Sequence, residues 1–417
     1  MALLYSFSIL LMRIGFGIAA WFHPKARLFV SGRRHLFKNL QAAFKNNTAK
    51  VIWVHCASLG EFEQGRPVME RLRTEFPEIK ILLTFFSPSG YEVRKNYTGA
   101  DFVFYLPWDT ASQAKRFVEI TNPVLAIFIK YEFWYHFAAA LRKKNLPLLS
   151  VSSIFRANQI FFQSYGAFFR RILKNFDHFF VQNQTSLTLL KSINIPNATV
   201  AGDTRFDRVH AITQQPVALE AIENFKGSDR TFVVGSMWPE DLDVLAPFMN
   251  DHKKSLRFII APHEISETFL QQIETSVQSR CVRYSQIANP ALPLADYSVL
   301  IIDNVGMLSK LYRYGEFAYV GGAYGKGLHN ILEAACYGVP IFFGNLNYEK
   351  FKEATDLIMR GGAFALSGYA ELEATYELMV NRPENFMLAC EVTKAYVEEN
   401  LGATEKIISH CRKLVST

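Results

Sequence analysis

The sequence predicts an α/β protein made of two doubly wound, Rossmann-like domains, and three observations carry that expectation. From Val51 onward, short apolar runs alternate with amphipathic stretches of helical period. Such alternation is the pattern of a parallel sheet covered on both faces by helices. It restarts near Thr231 after a polar tract, and the chain of 417 residues has about twice the length of an ordinary domain.

The first element precedes the alternation. Residues 1–22 are almost wholly apolar, interrupted by Ser6, Ser8 and Arg13. As a helix they extend about 33 Å, enough to reach across a bilayer core of about 30 Å. A cleaved signal peptide fits poorly, because no basic residue precedes the run and no small-residue cleavage site follows it. Ala2, Ser6, Arg13, Gly17 and Ala20 fall near one face, with Leu3, Phe7, Leu10, Ile14, Ile18 and Trp21 on the other. This suits a membrane-associated anchor. Arg13 at mid-depth makes a spanning helix costly. Spanning and lying flat both stay open, and a buried core helix is the plain competitor. Lys25, Arg27, Arg33, Arg34 and Lys38 follow, a cluster suited to acidic headgroups on a cytoplasmic face.

In the first domain the apolar runs at 51–54, 79–85, 102–105, 124–129, 146–151 and 179–181 read as strands. The stretches 65–76, 110–120, 133–144 and 184–193 read as the helices between them. A second set of strands falls at 231–235, 256–261, 299–302, 317–320 and 340–343, with helical turns at 331–337. The polar tract 212–226, containing Gln214, Gln215 and Pro216, marks the boundary. The expected organisation is an anchor at 1–22, an N-terminal domain at 23–212 and a C-terminal domain at 213–417, whose last helix is free to return to the first domain. Doubly wound domains bind ligands beyond the carboxyl ends of their strands, so the site is expected in a cleft between the two.

Composition narrows the function. Half the residues are hydrophobic and 14% are aromatic, which excludes wholesale disorder. A formal charge of +7 suits acidic partners. No dense Lys/Arg block and no nucleic-acid motif is present, so nucleic acid ranks last among them. Five cysteines are scattered without metal-type pairing, which argues for a reducing compartment and against a disulfide framework or structural zinc.

The chemistry-bearing motifs fall at the expected strand ends. Gly321, Gly322, Gly325 and Gly327, with Lys326 and His329, lie between an apolar run and a helix start. Glycines let the backbone approach a ligand, so this loop suits a phosphate or nucleotide, although ordinary strand-to-helix turns are also glycine-rich. After the run at 51–54 comes His55-Cys-Ala-Ser-Leu-Gly-Glu-Phe-Glu63. Glu61 there either presents a general base or serves with Ser58 at a helix start, and the residues alone weigh the two evenly. Glu132, in Lys130-Tyr-Glu-Phe-Trp134, reads from the residues as a first-turn charge complementing the helix dipole. Arg205, in Ala201-Gly-Asp-Thr-Arg-Phe-Asp207, is a fork for a phosphate or carboxylate, or a partner of Asp203 or Asp207. Gly235 and Ser236 form a turn before a helix, Pro262 and His263 follow the run at 256–261, and Asp303 to Leu308 offer backbone groups to a base or ribose.

Two motifs are set aside. Asp241-Leu-Asp243 has the spacing of a metal-binding D-x-D but lies inside an expected helix rather than at a strand end. The glycine-rich loop is no dinucleotide fingerprint, because it follows a late strand and lacks an acidic residue at the required distance.

Taken in order, His55-Cys-Ala-Ser-Leu-Gly-Glu61, Glu132-Phe-Trp134, Gly202-Asp-Thr-Arg-Phe-Asp207, Gly235-Ser236 and Gly321-Gly322 with His329-Asn-Ile-Leu-Glu333 resemble the 3-deoxy-D-manno-octulosonic acid (Kdo) transferases of lipopolysaccharide synthesis. The resemblance runs along nearly the whole chain. It implies a GT-B glycosyltransferase at the cytoplasmic face of the inner membrane, moving Kdo with inversion from CMP-Kdo to a tetra-acylated, bisphosphorylated lipid A precursor. It implies no metal and no other cofactor. Glu61 matches the proton acceptor, and Glu132 and Arg205 match groups credited with stabilising the transition state. Pro262 and His263, Gly306, Met307 and Leu308, and Asn330, Ile331, Leu332 and Glu333 match stretches that hold CMP, with the Gly235-Ser236 turn beside them.

The chain departs from that pattern at three places. Lys130-Tyr-Glu-Phe-Trp-Tyr135 stands where many members carry Glu-Thr-Glu-Leu-Trp-Pro, and His263 alone stands for an Arg-His pair. Met237-Trp238 replaces a usual Thr-His. Two rivals remain: another GT-B enzyme, such as a UDP-sugar lipid glycosyltransferase or a UDP-sugar 2-epimerase, and a non-catalytic nucleotide-binding membrane protein.

Overall fold

The computed structural model describes residues 1–215, 218–287 and 292–415. It contains two compact units, one of residues 1–207 with 401–417, the other of residues 208–400. Pro216, part of the expected boundary tract, lies outside the described residues.

The first unit holds β1 (Val51–Cys56), β2 (Lys80–Phe85), β3 (Phe102–Tyr105), β4 (Leu125–Ile129), β5 (Leu148–Ser153), β6 (His178–Val181) and β7 (Ala198–Val200). They form one parallel sheet in the order β3-β2-β1-β4-β5-β6-β7. The second holds β8 (Thr231–Met237), β9 (Arg257–Pro262), β10 (Cys281–Arg283), β11 (Val299–Ile301), β12 (Phe317–Val320), β13 (Ile341–Gly344) and β14 (Ala363–Leu366). Its parallel order is β10-β11-β9-β8-β12-β13-β14. Each is a Rossmann-like sheet, as the alternation predicts, and the architecture is that of GT-B enzymes. Chain direction across each sheet reverses between β1 and β4, and again between β8 and β12. The loops after those strands are therefore where a ligand is expected.

Both faces of the first sheet are packed. Trp53, Phe117, Phe128 and Phe137 fill one face, and Phe62, Val68, Ile127 and Ile129 fill the other. The helix Ala403–Val415 joins that second layer through Ala403, Ile407, Ile408 and Cys411, and Arg412 pairs with Glu75 at 2.6 Å. In the second unit Phe232, Phe258, Tyr319 and Phe342 anchor the layer beneath Leu245 and Phe248. Strands buried on both faces need continuous apolar runs, which is why the central ones were readable.

Three strands lie beyond the expected set: β7, β10 and β14, each at a sheet edge. They are three or four residues long and carry exposed or half-buried positions: β7 and β10 each include a polar residue, and the apolar run of β14, Ala-Phe-Ala-Leu, is short and only half-buried at its middle. The helix expected at 65–76 begins earlier, at Leu59, because Ser58 and Glu61 form a capping box. The helix expected at 331–337 shrinks to one turn, Leu332–Ala335, closed by Gly338 at φ +68°. A macrodipole argument for anion binding there loses most of its force.

The first 22 residues form one helix, Ala2–Phe22. It has the length and apolarity to cross a membrane. Its inner row nevertheless packs on the first unit: Tyr5, Ile9, Met12 and Phe16 meet Phe29, Trp108 and Trp134. Tyr5 donates to Asp109 at 2.5 Å, and Phe16 stacks on Phe29 with ring centres 4.1 Å apart. Leu3, Phe7, Leu10, Ile14, Ile18 and Trp21 stay exposed. Arg33 leaves the basic cluster to which the sequence assigns it. Its guanidinium stacks 3.8 Å from the Phe29 ring centre and donates to the carbonyls of Phe29, Phe86 and Leu106. A planar fork satisfied by three carbonyls has no donor left for a headgroup on those bonds.

Candidate functional site

In the first unit, the loops after β1 and β4 bring two of the expected residues together. Ser58 caps the helix Leu59–Glu75, and Glu61 Oε2 accepts from the Ser58 backbone N–H at 3.1 Å and from its hydroxyl. Glu61 therefore performs the capping that the residues alone allowed. Its other oxygen, Oε1, lies 3.9 Å from Lys130 Nζ, and the side chain keeps 19% of its surface open. Lys130 itself sits at φ +63°, a left-handed turn that directs the loop back over β1.

Glu132 is held by two donors on one oxygen. Trp134 Nε1–H reaches Oε2 at 2.7 Å and His55 Nε2 lies 3.1 Å from the same atom. Trp53 Nε1–H donates to Thr84 Oγ1 at 2.8 Å, and His55 Nδ1 lies 2.9 Å from that hydroxyl and 3.1 Å from the Thr84 carbonyl oxygen. A carboxylate only accepts, so the contact at Nε2 is a His55 N–H donating to Glu132, and a chain of four side chains ends there. Among the described residues, Oε1 of Glu132 has no hydrogen-bond partner.

Arg205, in the first turn of Thr204–Thr213, is tied to Asp203 by Nε at 2.9 Å and Nη2 at 2.8 Å. Buried Asp203 also accepts from Gln64, on the helix that carries Glu61. Asp207 takes no part in this pair. It caps the C-terminal helix, accepting from the N–H groups of Gly402 and Thr404 at 2.7 and 2.6 Å.

In the second unit, the expected residues line the loops after β8, β9 and β12. Gly235 has no room for a side chain: a Cβ there would lie 1.9 Å from the Tyr312 hydroxyl. Ser236 adopts φ +52° at a bulge between β8 and β9. Pro262 ends β9 and exposed His263 follows. Gly306, at φ +95°, and Met307 precede the short helix Leu308–Leu311. Asn330 donates to Glu333 at 3.2 Å and accepts from the Leu332 N–H. Burial raises the Glu333 carboxyl, opposed by Arg208 and Asn330. Ile331 and Leu332 are 1% and 0% exposed, so they offer a ligand only main-chain atoms.

Asp241, set aside as a metal ligand, is fully buried and occupied by protein donors. Oδ2 accepts from the N–H groups of Trp238 and Gly322 at 2.8 and 3.0 Å, and Oδ1 accepts from the Tyr319 hydroxyl at 2.9 Å. It binds the loop after β8 to the loop after β12. Among the described residues, His252, Glu373 and Glu377 have metal-type spacing, and His252 Nε2 pairs with Glu373 at 2.9 Å.

Sequence reasoning named Lys326 in the glycine-rich loop and Asp203 as a partner of Arg205, but gave His55, Lys130 and Trp238 no role. The partners of these three lie 69 or more residues away. His55 and Lys130 were inside quoted motifs, and a charge next to a candidate carboxylate was the available signal.

A family model described as 3-deoxy-D-manno-octulosonic-acid transferase (kdotransferase) matches residues 32–208. A 3-deoxy-D-manno-octulosonic acid transferase of Aquifex aeolicus (strain VF5) is 27% identical over 334 residues, covering 78% of this chain and 85% of that protein. The transferase of the same name from Rickettsia bellii (strain RML369-C) is 25% identical, with 85% and 84% covered. Among solved structures, UDP-GlcNAc 2-epimerase from Neisseria meningitidis bound to UDP-GlcNAc aligns over 87% of this chain and 100% of its own, with TM-score 0.60 and 14% identity. The corresponding enzyme of Methanocaldococcus jannaschii aligns over 84% and 98%, with TM-score 0.52 and 13% identity. At that identity the epimerases share the fold alone. The matched family model and the relatives extending over most of the chain make it similar to the 3-deoxy-D-manno-octulosonic acid transferases, the family that the ordered motifs resemble.

Proposed function

We propose that the protein transfers Kdo from CMP-Kdo to a lipid A precursor of the lipid IVA type, with inversion, at the cytoplasmic face of the inner membrane. The observation that carries this reading is Glu61: a carboxylate at the carboxyl end of a switch-point strand, with Oε2 spent on capping and Oε1 turned to Lys130. In the proposed step Oε1 takes the proton of an acceptor sugar hydroxyl. The hydroxyl oxygen attacks the anomeric carbon of Kdo from the face opposite the phosphate, the bond to the phosphate oxygen breaks, and CMP leaves. Glu132, fixed by His55 and Trp134, offsets positive charge developing on the sugar, and Arg205 neutralises a phosphate or carboxylate. Asn330 to Glu333, Gly306 to Leu308, Pro262, His263, Gly235 and Ser236 hold the CMP moiety. The apolar outer row of Ala2–Phe22 lies in the membrane surface, a reading supported by the inner row being packed on the protein.

The test is direct. The full-length protein is incubated with CMP-Kdo and tetra-acylated lipid A precursor, and the products are weighed by mass spectrometry, with and without EDTA. A mass increase of one or more Kdo units, unaffected by EDTA, is expected. Binding of UDP in preference to CMP, with no transfer, overturns the reading in favour of the epimerase-like rival.

A further inference from the structure

Trp238, at the end of β8, and His329, in the glycine-rich loop, form a contact that the assigned donor residues leave unexplained. The two rings are nearly coplanar, 12° apart, and Trp238 Nε1 lies 2.9 Å from His329 Nε2. An indole nitrogen can only donate. His329 Nε2 must therefore accept, and the ring proton of the neutral imidazole sits on Nδ1. Among the described residues, no acceptor is hydrogen-bonded to that Nδ1, and the residue is only half-buried.

The surroundings keep this tautomer in place. His263 stacks over both rings, 4.4 Å from Trp238 and 4.3 Å from His329 between centres. Lys326 Nζ sits 4.0 Å from the centre of the Trp238 ring. Burial, with His263 beside it, pushes the His329 pKa down to about 4, so the ring is a neutral donor near neutral pH. Of the other charges nearby, Lys350 approaches Gly327, Glu240 approaches Gly325, and Glu264 acts on His263. Both Asp241 oxygens are already taken.

We propose that His329 Nδ1–H, locked as a donor by Trp238, binds the phosphoryl group of a nucleotide, with Lys326 supplying the adjacent positive charge. The proposal rests on the CMP-sugar reading and names the group that meets the phosphate in it. Trp238 and His329 come from different loops of the second unit, so the lock forms only when both loops are in place.

The experiment uses the full-length protein, with CMP and cytidine as probes. Nitrogen-15 NMR of the imidazoles is expected to show His329 protonated on Nδ1 and unprotonated on Nε2. His329→Ala is expected to weaken CMP roughly ten- to a hundredfold, the range of a hydrogen bond to a charged group, while cytidine affinity and melting temperature stay unchanged. His329→Gln, whose amide can accept from Trp238 and donate outward, keeps most of the affinity. Trp238→Phe removes the donor to Nε2 and frees the tautomer, so the nitrogen-15 spectrum is expected to report a mixture of the two ring-protonation forms and CMP affinity to fall towards that of His329→Ala. An Nε2-protonated His329, or equal losses of CMP and cytidine in His329→Ala, overturns the proposal. Wild-type protein that binds neither probe overturns the CMP-sugar reading itself, and the nitrogen shifts then report the tautomer separately.

Discussion

The two units place their candidate groups at equivalent topological positions and equip them in opposite ways. After β1, β4 and β7 the first unit sets charges: Glu61 facing Lys130, Glu132 fixed by His55 and Trp134, and Arg205 on Asp203. After β8, β9 and β12 the second sets a ring stack of Trp238, His263 and His329, with one buried carboxylate, Asp241, used as a structural acceptor. The sheet decides where a ligand sits, and the loops decide whether protons or phosphates are handled there. A base and charge stabilisers suit the reacting hydroxyl and sugar. Neutral donors and close backbone suit a leaving group that needs holding but no proton removed.

The comparison breaks most sharply at Glu61. Glu61→Gln keeps the capping geometry but removes the proposed base, so turnover is expected to fall by roughly 10²- to 10⁴-fold while CMP affinity is unchanged. Near-normal turnover in that variant would sink the division of labour. Asp241→Ala strands the N–H groups of Trp238 and Gly322 and the Tyr319 hydroxyl. It should lower stability by roughly 2–4 kcal/mol in urea unfolding, with CMP binding lost before any change appears in the first unit. Retained stability would mean that Asp241 is no structural acceptor. Next in size is membrane attachment, which only the first unit's exposed helical row supports. Ile14→Glu is expected to reduce sedimentation with anionic phospholipid vesicles by roughly tenfold, and an unchanged bound fraction removes that role.

The smallest effect is on acid stability. His178 in β6 has its pKa lowered from 6.5 to about 4, by burial and then by His410 at a ring distance of 4.7 Å. The unfolded chain binds the proton first on acidification, so the stability associated with His178 is fully present above pH 6.5 and declines until about pH 4. His178→Gln should flatten that part of the profile, measured by thermal unfolding between those limits. His329 has the same shift to about 4, so the two units share this acid sensitivity as well as their sheet topology.

How much of this was legible follows from the length scale of each signal. The central strands announced themselves because burial on both faces demands runs such as Val51 to Val54 and Phe317 to Val320. β7 and β10 were silent because an edge strand needs no such run, and the four apolar residues of β14 were too few to stand out. Glu61, Glu132 and Arg205 were visible as charges at strand ends, but their partners were not. The Trp238–His329 bond spans 91 positions and the His55–Glu132 bond spans 77, beyond any local pattern. The capping box was the exception: Ser58 and Glu61 are three apart, and both readings of Glu61 were present in the sequence.

Asp207 closes the first unit around an interruption. The chain leaves that unit just after Asp207 and re-enters it at Leu401, and the same carboxylate grips Gly402 and Thr404. During synthesis the ribosome must deliver the whole of residues 208–400 before Ile407, Ile408 and Cys411 can complete the layer over β1 and β4. Until then Phe62, Val68 and Ile127 lack part of their cover. The last apolar face of the first unit thus waits on a segment translated only after the whole second unit.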